Sequence, residues 1–276
     1  MAQLKARIIT ALIAAPLTIA LIALYGRLGL SLFILAVTLG GIAEMKRMLN
    51  KAGVGVYWGL IAILSCAFAF LGTNHGTICL VLLISVLAIL LRGLLSEGET
   101  DITFTRVSFS LLTVICLPFL ASFAVAIMTI TQSGSAGSIG IRLIILLFVV
   151  TWACDIAAFF CGRRWGRHKA LERISPNKTL EGFVAGLIFS VLTSVLLSAI
   201  MLDEFSIGQS ALLGLLLGMF GQLGDFCFSL IKRAVKLKDA GGILPGHGGI
   251  LDRMDSFLFN APVMYVFIVF SMTKPL

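Results

Sequence analysis

Charge is what this sequence is short of. Asp, Glu, Lys and Arg make up 12% of its 276 residues, where soluble domains carry about 25%. The acids are the scarcer half, with 13 Asp and Glu against 21 Lys and Arg. A chain this poor in charge is not built to face water over most of its surface. Cysteine pairs are missing as well. Cys66, Cys79, Cys116, Cys154, Cys161 and Cys227 stand singly inside apolar runs, and none forms a Cys-x-x-Cys pair. That excludes a zinc site of the Cys-x-x-Cys type and a disulfide framework, and leaves the cysteines as small buried hydrophobes. Internal repeats and low-complexity tracts are absent. The first apolar run has no small-residue cleavage site, so it reads as a retained span, not a cleavable signal peptide.

What is present is hydrocarbon. The chain is 59% hydrophobic with a mean hydropathy of +1.08. A spanning helix needs about 20 mostly apolar residues, and nine such stretches can be read: Ile8–Tyr25, Leu28–Ala43, Val56–Gly72, Thr77–Leu91, Val107–Ile130, Ile141–Gly162, Leu180–Leu202, Ile207–Ile231 and Ser256–Met272. The expected fold is therefore all-α and polytopic. With the N-terminus in the cytoplasm, every Lys and Arg except Arg27, Arg142 and Lys274 falls on the cytoplasmic side. By the positive-inside rule, that asymmetry predicts an N-in, C-out arrangement for nine spans. The net charge of +8 is thus topological first and available to an anionic substrate second; nucleic acid is not the partner it points to.

No long polar linker divides the chain, so a single multi-helix membrane domain over 1–276 is expected. Residues 1–140 read mainly as scaffold, with charges such as Glu44, Lys46 and Arg47 at helix ends. The mixed-charge stretch Glu97–Arg106 reads as a cytoplasmic loop, and the Gly/Ser-rich Gln132–Gly140 as an external one. Residues 141–276 hold nearly all the unusual chemistry.

Two acids lie inside predicted spans, Asp155 in the sixth and Asp225 in the eighth. An ionised Asp in hydrocarbon costs about 2.5–3.5 kcal/mol on insertion scales, so it faces a protein interior, a wet cavity or a cation. Both sit roughly 10 Å below the cytoplasmic end of their spans at 1.5 Å rise per residue. Directly after the eighth span comes the densest polar run of the chain, Ser229 to Asp255. It carries Lys232, Arg233, Lys236, Lys238 and Arg253, together with Asp239, Asp252, Asp255, His247 and the glycines 241, 242, 246, 248 and 249. Ammonium and guanidinium groups at this density suit polyphosphate. Gly248 and Gly249 let backbone N–H groups approach a ligand. Asp252 and Asp255, three apart, share a helix face and could hold a hard cation. One polar cavity open to the cytoplasm would collect Asp155, Asp225 and the Asp252/Asp255 pair. In the loop after the sixth span, Thr179 or Ser175 could cap the next helix and Pro176 would stiffen the turn.

The run S-x-I-K-R-x4-K-D-x-G-x2-L-P-x-H-G-G-I-x-D-R-M-D, from Ser229 to Asp255, resembles the signature of phosphatidate cytidylyltransferases (CDP-diacylglycerol synthases). Ser175-Pro176-Asn177-Lys178-Thr179-Leu180-Glu181-Gly182 is similar to the S-P-x-K-T-x-x-G segment of the same family, and Asp155-x-x-Ala-x-x-x-Gly162-Arg163 to its acid-bearing helix end. The resemblance covers Asp155 to Asp255. Phe228 stands where family members commonly have Glu, and Ile156 where they often have Ser or Thr.

The resemblance implies that CTP and phosphatidate give CDP-diacylglycerol and pyrophosphate at an inner bacterial membrane, on its cytoplasmic side. It implies Mg²⁺ held by Asp225, Asp252 and Asp255, with a second cation left open. Catalytic roles would fall to these three and to Lys232, Arg233, Lys238, Asp239 and His247. Substrate contacts would fall to Asp155, Ser175, Lys178, Thr179, Ser229, Gly248, Gly249 and Arg253. The partners are CTP, phosphatidate and bilayer lipid, and a homodimer stays open. A polytopic transporter would also explain intramembrane acids, but not a cationic, Gly-rich run with paired Asp. An intramembrane aspartyl protease would need Gly where Gln222 stands. A CDP-alcohol phosphotransferase would not follow Asp255 with Ser256 and Phe257.

Overall fold

A computed structural model describes residues 2–130, 138–202, 205–237 and 249–273, with side chains described from Leu24 to Ser271 within those ranges except at Ser138. Among the described residues seven helices are long and apolar enough to cross a membrane: Leu24–Lys51, His75–Leu94, Thr100–Thr129, Ile139–Trp165, Leu180–Met201, Ile207–Ala234 and Leu251–Ser271. Trp58–Leu71 is a shorter apolar helix. The chain is thus an integral membrane protein of helical type.

Its helices group into two compact units, neither continuous in sequence. The first comprises Met1–Thr129 and Ala234–Arg253. It holds α1 (Ala2–Lys51), α2 (Trp58–Leu71), α3 (His75–Leu94), α4 (Thr100–Val114), a π-helical turn (Ile115–Phe119) and α5 (Leu120–Thr129). The first two predicted spans run together in α1, interrupted at Gly26, whose φ of 54° and ψ of −127° break the helical path where the sequence suggested a boundary. Asn74 caps α3: its side chain accepts from the Thr77 N–H at 3.0 Å, in a capping box completed by the Thr77 hydroxyl. Pro118 lies in the π-helical turn joining α4 to α5. The wider turn accommodates a residue that has no N–H and whose ring crowds the preceding carbonyls.

Two expectations for this unit need correction. Glu97–Arg106 is not a loop throughout, because α4 already begins at Thr100, with Asp101 in its first turn. Glu44 is not an end charge; it is fully buried. The cysteines are free thiols as expected, yet Cys66, Cys79 and Cys227 are exposed on apolar helices and only Cys154 is buried.

The second unit comprises Ile130–Arg233 and Met254–Leu276. It holds α6 (Ser138–Trp165), strands β1 (Lys169–Leu171) and β2 (Ser175–Thr179), α7 (Leu180–Met201), α8 (Ile207–Ala234) and most of α9 (Leu251–Thr273). The two strands pair antiparallel, Lys169 with Thr179 and Leu171 with Ser175. This hairpin departs from the all-α expectation. It was missed because strands of three and five residues are too short to show an alternating pattern. Pro176 is tolerated in it because both strands of a two-stranded ribbon are edges. Helices α6 and α8 each extend one turn beyond their predicted ends, to Trp165 and Ala234.

Helix α7 is inverted relative to a helix in a soluble protein. Gly182, Gly186, Ser190, Ser194 and Ser198 form its buried stripe. Val184, Ile188, Leu192, Leu196 and Ile200, two residues out of phase, form an exposed one. In lipid, large apolar groups gain nothing from leaving the solvent, so small residues go inward where they permit close backbone contact. A Cβ on Gly182 would fall 2.6 Å from the Ala158 carbonyl oxygen of α6. One on Gly214 of α8 would fall 2.7 Å from the Ser190 carbonyl oxygen and from Val191 Cα of α7. The Ser194 hydroxyl donates to the Ser210 carbonyl at 2.7 Å, tying α7 to α8.

Since the atoms meeting Gly214 are largely backbone and cannot step aside, Gly214→Ala should destabilise the folded protein by about 1–3 kcal/mol, the usual penalty of overpacking. Gly208→Ala, which meets nothing within 4 Å, should not. Thermal unfolding of the two variants in detergent checks this; equal stability would mean that the α7–α8 contact relaxes freely.

Candidate active site

Three helices of the second unit bring carboxylates together: Asp155 from the second half of α6, Asp225 from the second half of α8, and Asp255 from the start of α9. The approach of α8 to α9 depends on glycine. A Cβ on Gly224 would fall 2.7 Å from the Asp255 carbonyl oxygen and 2.9 Å from Phe259 Cβ. Asp255 is buried, at 6% exposure. Its Oδ1 accepts the Ser256 N–H at 2.8 Å. Its carboxylate is within electrostatic reach of Asp225, Asp155 and the Lys232 ammonium. The Ser256 hydroxyl donates to Asp155 Oδ1 at 3.4 Å, and the Ser229 hydroxyl to Asp225 Oδ1 at 3.5 Å. The other oxygen of Asp225 is ion-paired with Lys178 Nζ, and that ammonium stands 4.2 Å over the Phe226 ring.

Lys178 is delivered by the hairpin. Thr179 Oγ1 accepts the Gly182 N–H at 3.2 Å and so caps α7, the role expected of Thr179 or Ser175. The Leu180 N–H donates to the His168 carbonyl at 2.9 Å. His168 Nδ1 and Glu181 Oε1 are 2.7 Å apart, and Glu181 also takes the His168 N–H at 3.1 Å. Arg233 Nε donates to the Ile174 carbonyl at 3.1 Å, anchoring the turn of the hairpin to the end of α8. Lys178 is therefore held from both sides before any ligand arrives.

Of the residues singled out in the sequence, Asp155, Lys178, Asp225, Ser229, Lys232 and Asp255 come together in this unit. Ser175 opens β2, and Arg233 is bound to the hairpin. Gly249, Asp252 and Arg253 belong to the first unit, where Asp252 and Arg253 lie in the first turn of α9 and Asp252 is one turn ahead of Asp255. Lys238, Asp239, His247 and Gly248 lie outside the described residues. Two members of the cluster were not anticipated. Ser256 served in the sequence only to exclude a rival motif, although its place beside Asp255 was a usable signal. Phe226 had none, since an aromatic in an apolar helix is unremarkable.

Three acids meet two ammonium groups, Lys178 and Lys232, so the cluster can accept more positive charge. Among the described residues no three His, Cys, Asp or Glu side chains lie close enough to hold a metal ion by themselves. A cavity of about 460 Å³, lined by His168, Leu180, Glu181, Val184, Ala185 and Ile188, opens at the start of α7 and contains none of the three aspartates.

The ion pair of Lys178 and Asp225 should be thermodynamically coupled. Both side chains keep about a third of their exposure (29% and 32%). A coupling of about 1 kcal/mol is therefore expected, less than for a fully buried pair. Unfolding of Lys178→Met, Asp225→Asn and the double variant measures it. Strict additivity would mean the two charges act independently.

The chain matches the Cytidylyltransferase family over residues 5–271. It is 34% identical over 270 residues to a phosphatidate cytidylyltransferase of Staphylococcus epidermidis, covering 96% of this chain and 99% of that one. It is 32% identical over 272 residues to a phosphatidate cytidylyltransferase of Bacillus subtilis, covering 96% and 97%. The protein of the same name from Staphylococcus aureus is 34% identical over 272 residues, covering 96% and 99%. With the match running through the scaffold half as well as the acid-bearing half, this chain belongs to the cytidylyltransferase family.

Proposed function

We infer that this chain transfers the cytidylyl group of CTP to phosphatidate, giving CDP-diacylglycerol and pyrophosphate. The observation that carries this reading is the cluster of Asp155, Asp225 and Asp255 with Lys178 and Lys232, in a chain whose full-length relatives are named for that activity. Intramembrane acids alone would suit a transporter equally; family membership does not support that reading.

In the transfer, a phosphate oxygen of phosphatidate attacks the α-phosphorus of CTP. A new P–O bond forms, the α–β bridging P–O bond breaks, and its electron pair leaves on pyrophosphate. The attacking oxygen is already anionic at neutral pH, so no protein nucleophile is required. What remains for the protein is to bring two polyanions together and hold them in line. Lys178, already poised at the carboxylates, would meet the phosphatidate phosphate. Lys232, Arg233, Lys238 and Arg253 would neutralise the triphosphate, and the backbone amides of Gly248 and Gly249 would approach it closely. His247 would contact a phosphate or orient a carboxylate, with Asp239 in the same run. Ser175, Thr179 and Ser229 would line the substrate, and Asp155 would complete the acid cluster.

The donor set fits Mg²⁺. The carboxylates of Asp225 and Asp255, and by sequence pattern Asp252, are hard oxygen ligands, and the acids of the cluster outnumber its ammonium groups. Mg²⁺ typically takes one or two carboxylates and completes its shell with substrate phosphates and water, so the lack of a three-ligand protein cage among the described residues is compatible with it. When bound, the ion would supply neutralisation of the triphosphate and of the departing pyrophosphate. We further read the chain as N-in, C-out in a bacterial cytoplasmic membrane, with nine spans and a polar cavity open to the cytoplasm; the cation asymmetry supports this.

The detergent-solubilised chain, given radiolabelled CTP, phosphatidate and Mg²⁺, should form a labelled liponucleotide. Asp252→Asn and Asp255→Asn should each lower turnover by orders of magnitude while the protein still folds. Solute uptake without CTP turnover would overturn the assignment. Asp225→Cys, in a background without native cysteines, should react with a membrane-impermeant thiol reagent added from the cytoplasmic side; reaction from the outside alone would invert the topology.

A further inference from the structure

The scaffold half carries one fully buried acid, Glu44 of α1. Its Oε2 accepts the backbone N–H of Leu251, 207 residues away, at 3.0 Å. Its Oε1 is buried and has no hydrogen-bond partner among the described residues. Leu251 is the first residue of α9, and the position before it is Ile250, which offers no side-chain oxygen to the orphan N–H groups of a helix start. The missing cap is supplied from another helix, as a carboxylate at the positive end of the α9 dipole.

Two glycines one turn before Glu44 complete the arrangement. A Cβ on Gly40 would fall 2.4 Å from Ile250 Cδ1, and one on Gly41 would fall 3.0 Å from Leu251 Cδ2. The side chains of Ile250 and Leu251 thus occupy space that α1 vacates by having no side chain there, and Leu251 is 2% exposed. Three contacts from one face of α1 converge on the two residues that immediately precede Asp252, with Asp255 one helical turn further on.

We propose that Gly40, Gly41 and Glu44 form a socket that sets the first turn of α9, making Glu44 a positioning residue for Asp252. Its functional half rests on the reading of Asp252 as a carboxylate of cytidylyl transfer. Shape and hydrogen bonding act on different residues here: the glycines seat Ile250 and Leu251, and Glu44 takes the N–H that fixes where the helix begins.

The test compares Glu44→Leu, which removes the acceptor, with Glu44→Gln, whose amide oxygen can still accept from Leu251. Hydrogen–deuterium exchange is read over residues 249–255, with α3 as the internal reference, alongside turnover with CTP and phosphatidate. In Glu44→Leu, exchange over 249–255 should rise at least tenfold with α3 unchanged, and turnover should fall at least tenfold. Glu44→Gln should recover both to within about threefold. Unchanged exchange over 249–255 in folded Glu44→Leu would overturn the socket. Altered exchange with turnover within twofold of wild type would overturn the positioning role. A wild-type chain without cytidylyl transfer would instead sink the proposed function, and the exchange result would still judge the socket.

If Glu44→Leu does not fold, a size swap decides. Gly40→Leu, too bulky for Ile250 to accommodate by rotating its Cδ1 aside, should lose at least tenfold in turnover and raise exchange over 249–255. Adding Ile250→Ala, which vacates that space, should restore both; no recovery would overturn the proposal.

Discussion

In hydrocarbon, burying a large apolar side chain gains little, because lipid is as apolar as the protein interior. Cohesion must come instead from close backbone approach and from polar groups that find partners inside the protein. Much of the rest of this structure depends on that constraint. It explains why α7 turns glycine and serine inward and Val184, Ile188, Leu192, Leu196 and Ile200 outward. It also explains why α6, α7 and α8 meet at Gly182 and Gly214, where a single methyl group would strike backbone.

The same close approach builds the polar cluster. Gly224 lets α8 touch the backbone of Asp255, which is how acids from separate helices come within reach of one another. Carboxylates gathered in this way repel, and the protein answers with cations and hydroxyls: Lys178 on Asp225, Ser229 on its other oxygen, Ser256 on Asp155, Lys232 near Asp255. The charge is only partly balanced, which would suit the proposed handling of two polyanions with Mg²⁺. A short hairpin carries Lys178 to this point. The Thr179 cap, the contact of His168 with Glu181 and the bond from Arg233 to Ile174 hold that hairpin in place.

Glu44 changes how the division of the chain is understood. In the proposed reaction the acid-bearing half supplies the reacting groups, but the first turn of α9 is seated on α1, by an acid that looked like an ordinary helix-end charge. A scaffold helix that caps the turn bearing Asp252 is more than a membrane anchor.

Sequence alone determined the class of the protein and its family. Hydropathy marks helices because a spanning backbone must satisfy its own hydrogen bonds, and that signal is long and local. The Ser229–Asp255 run, the Ser175–Gly182 segment and Asp155 identified the family, because cations, acids and glycines are conspicuous against an apolar background. The break at Gly26 and a cap at Thr179 or Ser175 were legible for the same local reason, and Thr179 is the one that caps α7. Tertiary structure decided what local pattern does not encode. The hairpin is too short to show a period, the start of α4 hides in a charged stretch, and Lys178 meets Asp225 only because α7 and α8 pack side by side. Glu44 carries no mark of its partner, because a capping bond across 207 residues exists only once the chain has brought α1 to the foot of α9.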